Sequence, residues 1–133
     1  MRVLIVGDAR EADPVKEGLR ASGVAVDRRG DGPPPDHRSE EIAEIARELR
    51  EFEGFLADPE AGAVLVASDS SAALAAVVVA TKAGIPVARL EQPGEGGGED
   101  ANGRVIRRLA DTTLARDSAA VEQWVRAGYP ARE

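Results

Sequence analysis

Short apolar runs alternate along the chain with longer segments whose apolar residues recur at helical spacing. Val3 to Val6 is a continuous apolar run ending at Gly7, which predicts a buried strand passing into a turn, with Asp8 at its carboxyl end. Ala12, Val15, Leu19 and Ala21 predict a first helix from about Asp13 to Ala21, with Asp13 as N-cap, Pro14 as its first residue and Gly23 just beyond. Val24 and Val26 make a short second strand. The segment Arg28 to His37, RRGDGPPPDH, has no apolar period and reads as a loop with a stiff extended portion.

A long helix follows, opened by Ser39, Glu40 and Glu41. Its predicted apolar face is Ile42, Ile45, Ala46, Leu49, Phe52 and Leu56. Pro59 and Gly62 then interrupt the chain before Val64 to Val66, a third and central strand. Ser70 to Ala83 is apolar almost all round, with Thr81 and Lys82 polar near its end. Such a helix needs cover on more than one side, which makes it the expected seat of a homodimer contact. Val87 to Leu90 is a fourth strand ending in Glu91, followed by a glycine-rich loop, Gly94 to Gly98. A helix from Glu99 to Leu109, a strand from Thr112 to Ala115 and a helix from Asp117 to Ala127, stopped by Gly128, complete the pattern.

Strands separated by helices predict an α/β fold: one Rossmann-like domain over residues 1–133, a mostly parallel sheet with helices on both faces. The length of 133 residues suits one domain with its own core. Cysteine is absent and there is one histidine, so disulfides, thiolate metal sites and a histidine-built zinc site are not expected. His37, beside Pro35 and Asp36, reads as a solvent-facing loop residue. A net charge of -7 argues against nucleic acid as a partner. No apolar run approaches membrane-spanning length, and without cysteines to mark a compartment cytoplasm is the default location.

Parallel α/β sheets bind ligands beyond the carboxyl ends of their strands, which gives the polar residues there their interest. Asp69, Ser70 and Ser71 stand at a strand end that opens directly into a helix. Free amide donors and the positive end of the helix dipole suit an anionic or hydroxyl-rich ligand there, with Asp69 as hydrogen-bond partner or base. The same residues also fit a plain helix cap, and local spacing does not separate the two. Glu91 ends the next strand, where a carboxylate can exchange a proton or serve solubility alone. Glu99 and Asp100 open a helix and complement its dipole, with Asn102 close behind. Gly7, Asp8 and Arg10 resemble a phosphate-facing loop after a first strand, but neither dinucleotide nor Walker spacing is present. Trp124 shares a helix face with Val121 and Val125, which points to core packing.

Taken together, ASDSSAALAAVVVATKAGIPVARLE, then EDANGRVIRRLAD, and the opening VGDAREA resemble the N-terminal domain of the non-hydrolysing UDP-N-acetylglucosamine 2-epimerases. The resemblance implies half of a GT-B fold and a reaction without a redox cofactor. In that reaction UDP leaves to give a 2-acetamidoglucal and adds back with C2 inverted. By motif position it implies Asp69, Glu91 and Glu99 as catalytic carboxylates. Asp8, Arg10, Ser70, Ser71 and Asn102 would then contact a UDP-sugar. The chain departs from the pattern after Glu91, where QPGEGGG replaces a loop that carries an arginine, and at Gly103, which also stands for an arginine. These departures, and the lack of a nucleotide-binding second domain, imply a half-domain inactive alone that needs a separate C-terminal-type domain or partner. The alternative is a non-catalytic binding or homo-oligomeric structural module on the same fold.

Overall fold

The computed structural model describes residues 2–31, 38–91 and 101–130. His37, the proline run, the glycine-rich loop, Glu99 and Asp100 lie outside the described residues. Strands and helices alternate strictly: β1 (Arg2–Val6), α1 (Ala9–Ala21), β2 (Ala25–Arg29), α2 (Arg38–Leu56), β3 (Ala61–Val66), α3 (Ser71–Ala83), β4 (Val87–Leu90), α4 (Ala101–Leu109), β5 (Thr112–Leu114) and α5 (Ser118–Arg126). All pairings are parallel, in the order β2-β1-β3-β4-β5. This is the flavodoxin-like doubly wound order, whose strand sequence reverses between β1 and β3. The α/β class, the parallel sheet and the central place of β3 are as the sequence predicts.

Side chains leave a strand on alternate faces, and the two core clusters follow that period. Leu4, Val6, Val64, Val66 and Val87 face one layer, meeting Phe52 and Leu56 of α2, the alanines of α3 and Ile106 of α4. Val3, Ile5, Ala63, Leu65, Ala88 and Leu90 face the other, meeting Ala12, Val15 and Leu19 of α1 and Val121 and Trp124 of α5. Trp124 is therefore a core residue. Its ring stacks edge-on to Tyr129 with centroids 4.9 Å apart.

Two local expectations change. Helix α1 starts at Ala9 rather than Asp13, because the Ala12 N–H already donates to the Asp8 carbonyl at 2.9 Å. Pro14 consequently lies inside the helix, where it has no N–H for the carbonyl one turn back. In α2 Phe52 and Leu56 are buried and Leu49 packs against the core as predicted, but Ile42 is 65% exposed, Ala46 is exposed and Glu44 is buried. Arg29, at the end of β2, pairs with Glu48 at 3.0 Å and Glu51 at 2.6 Å, and its guanidinium lies 5.2 Å from the Phe52 ring centre. The apolar helix α3 packs on the sheet and against both α2 and α4. Its composition is accounted for inside one chain, so the feature that suggested a homodimer contact does not require one. Among the described residues, no helix is long and apolar enough to cross a membrane.

Candidate functional site

The carboxyl edge of the sheet gathers polar residues from successive strand ends. Register fixes their neighbourhood: Val6 pairs with both Arg29 and Val66, Val66 pairs with Arg89, and Leu90 pairs with Leu114. The residues just beyond these pairs, Asp8, Asp31, Asp69, Glu91 and Arg116, therefore leave the sheet side by side. At the β1/β3 reversal, where ligands of such sheets sit, the structure places Asp8 on one side and Ser68, Asp69 and Ser70 on the other.

Asp31 ties this crevice together. Its Oδ1 accepts hydrogen bonds from Ser68 Oγ at 2.6 Å and Ser70 Oγ at 2.7 Å, and its backbone N–H donates to Asp8 Oδ1 at 3.2 Å. The chain leaving β2 thus reaches across the end of β1 to the start of α3. Ser70 is the N-cap of α3, accepting from the Ala73 N–H at 3.1 Å. The cap reading of Ser70 is correct, and the same hydroxyl also donates into the crevice. Asp8 stands at the N-cap position of α1 without capping it through its side chain.

Asp69 is held on two sides. Its Oδ2 accepts from Arg89 Nη2 at 3.3 Å, and its backbone carbonyl accepts from Asn102 Nδ2 at 3.2 Å. Oδ1 is buried and, among the described residues, has no hydrogen-bond partner. That oxygen is a buried acceptor without a protein donor among the described residues. Groups converging to hold a metal ion are absent among the described residues.

No protein-family model and no curated protein sequence matches the chain. Solved structures do match. The chain is similar to the Methanocaldococcus jannaschii UDP-GlcNAc 2-epimerase in complex with UDP-GlcNAc and UDP, with a TM-score of 0.72 and 18% identity over 96% of this chain and 44% of that one. Its fold is that of part of a UDP-GlcNAc 2-epimerase. The Neisseria meningitidis UDP-GlcNAc 2-epimerase bound to UDP-GlcNAc is similar at TM-score 0.59 and 19% identity, over 98% of this chain and 44% of that one. This chain spans less than half the length of these epimerases. An atypical orphan response regulator is similar at TM-score 0.59 and 18% identity, over 99% of this chain and 100% of that one.

Within this epimerase-like fold, Asp69, Ser70, Ser71 and Asn102 come together around the start of α3. Ser71 is buried at its first turn. Glu91 lies one residue past β4 and is exposed, its backbone N–H donating to the Leu114 carbonyl at 2.9 Å. Arg10 is exposed in the first turn of α1.

Four residues of the site escape the sequence patterns: Asp31, Ser68, Arg89 and Arg116. Arg89 left a usable signal, a charged residue inside the apolar run Val87 to Leu90, and its side chain is 1% exposed. Arg116 donates from Nη2 to the Ala67 carbonyl at 3.3 Å, crossing the strand ends from β5 to β3. Local sequence carries no sign of that reach. A cavity of about 280 Å³ lies at the opposite end of the sheet, lined by Arg2, Leu4, Phe55, Asp58 and Ala61 among others.

Proposed function

We propose that the chain is an epimerase-type half-domain that binds a UDP-sugar at the carboxyl ends of β1, β3 and β4, and that it does not turn the ligand over alone. The observation that carries this reading is Asp69. Its carbonyl and one carboxylate oxygen are fixed while the second oxygen is left as an acceptor, in a fold shared with enzymes whose structures hold UDP-GlcNAc. A sugar hydroxyl or acetamido N–H is a donor of the kind that oxygen can accept. Asn102, Ser70 and Asp8 border the same crevice, and the resemblance implies Glu91 and Glu99 as further carboxylates of the reaction.

Inactivity of the chain alone follows from the chemistry of the step. Cleaving a bond to UDP develops charge on a diphosphate, which is stabilised by positioned cations in a site closed to water. One sheet edge offers one wall, and Glu91 stands in solvent. A second domain or partner would supply the facing wall.

A second reading has one observation behind it. The response regulator matches over 100% of its solved chain, so the same fold also occurs in a protein not named as an epimerase. On that reading the fold is kept as a non-catalytic binding module. Incubating the protein with UDP-GlcNAc and following the anomeric and C2 proton signals separates the possibilities. Saturable binding without conversion is expected, conversion by the chain alone would refute the claim of inactivity, and no binding would leave only the module.

A further inference from the structure

Arg89 is the one arginine among the fully buried side chains of the described residues. It lies on β4 between Ala88 and Leu90, both of which pack toward α1 and α5. Strand alternation therefore turns Arg89 to the other face, toward the start of α3 and α4. A guanidinium taken out of water loses hydration that an ion pair only partly replaces, so a charge here is a poor device for stability alone. An apolar side chain of similar length would fill the same space without that cost.

We infer that Arg89 is a positioning residue: its guanidinium holds the Asp69 carboxylate in one rotamer beside the crevice, keeping the unpartnered Oδ1 as the acceptor for a ligand donor. The 3.3 Å contact ends on Oδ2 and leaves the other carboxylate oxygen, Oδ1, without a partner among the described residues. The Asn102 side chain holds the carbonyl of the same residue, and Ser70, the next residue, is pinned by the α3 cap. Backbone and side chain of Asp69 are thus restrained by separate partners, which is what presenting one oxygen in one direction requires. The part of the inference that concerns ligand affinity rests on the proposed UDP-sugar reading. The part that concerns Asp69 geometry does not.

The test uses the full chain and three variants: Arg89→Met, Arg89→Lys and Asp69→Asn. The first readout needs no ligand: the χ1 couplings of Asp69 by NMR should report one rotamer in the unmodified protein, averaging in Arg89→Met, and a largely restored single rotamer in Arg89→Lys. An unchanged single rotamer in a folded Arg89→Met protein overturns the inference. If Arg89→Met does not fold, the guanidinium resonances of the unmodified protein and of Asp69→Asn take its place. Slow, separated Nη signals should collapse in Asp69→Asn, and identical signals in both overturn the inference. The second readout is UDP-GlcNAc affinity, expected to fall about tenfold or more in Arg89→Met and to recover in part in Arg89→Lys. Failure of the unmodified protein to bind UDP-GlcNAc contradicts the functional reading while the rotamer result still decides the role of Arg89.

Discussion

The Ser70 hydroxyl accepts from a helix amide and donates to a carboxylate two strands away, so one side chain joins the α3 cap to the Asp31 bridge. Removing it in Ser70→Ala leaves the Ala73 N–H without its cap and Asp31 short of a donor. Stability should fall by about 1–2 kcal/mol, with Ser70→Thr losing much less, as urea unfolding of the three proteins would show. Glu48 makes a prediction about pH. Burial, opposed in part by Arg29, pushes its carboxyl above the usual glutamate range. A group that holds its proton more tightly when folded contributes stability below its unfolded pKa and loses that contribution as pH rises through the folded value. Glu48→Gln keeps a neutral side chain throughout. Relative to the parent it should therefore be more stable at about pH 7 than at about pH 4, and a difference independent of pH would contradict the assignment.

At the scale of elements, α1 and α5 touch through a glycine. A Cβ on Gly18 would lie 2.6 Å from the Ser118 Cβ, closer than any real contact, and 3.2 Å from a Glu122 oxygen. Gly18→Ala should gain about 1 kcal/mol of helix propensity yet lose more by forcing the helices apart, for a net loss of about 1–2 kcal/mol in a denaturant titration. A neutral or stabilised variant would mean that the two helices separate easily. Elements are also where the sequence was most legible. Each apolar run and each helical period has its counterpart, since burial on a two-faced sheet imposes both patterns directly. The misplacements come from forces outside the local window. The start of α1 follows the end of β1 and overrides the Pro14 signal, and early in α2 Glu44 rather than Ile42 turns inward, while Leu49, Phe52 and Leu56 pack as the period predicts.

For the whole molecule, strand order decides which residues meet, and strand order is not written in any local spacing. Asp69, Ser70 and Asn102 were visible as strand-end or helix-start residues. Asp31, Ser68 and Arg116 join them only because β2, β1, β3, β4 and β5 lie side by side in that order. The domain supplies one edge of parallel strands, spanning less than half the length of the epimerases it resembles. The central claim is that this edge binds a UDP-sugar around Asp69. Titrating UDP-GlcNAc into isotope-labelled protein and following the backbone amides tests it most directly. UDP-sugar binding at this edge predicts saturable shifts centred on Asp8, Asp69, Ser70, Glu91 and Asn102, lost in Asp69→Asn. It is contradicted by no shifts at millimolar ligand, or by shifts confined to the cavity around Phe55 at the other end of the sheet.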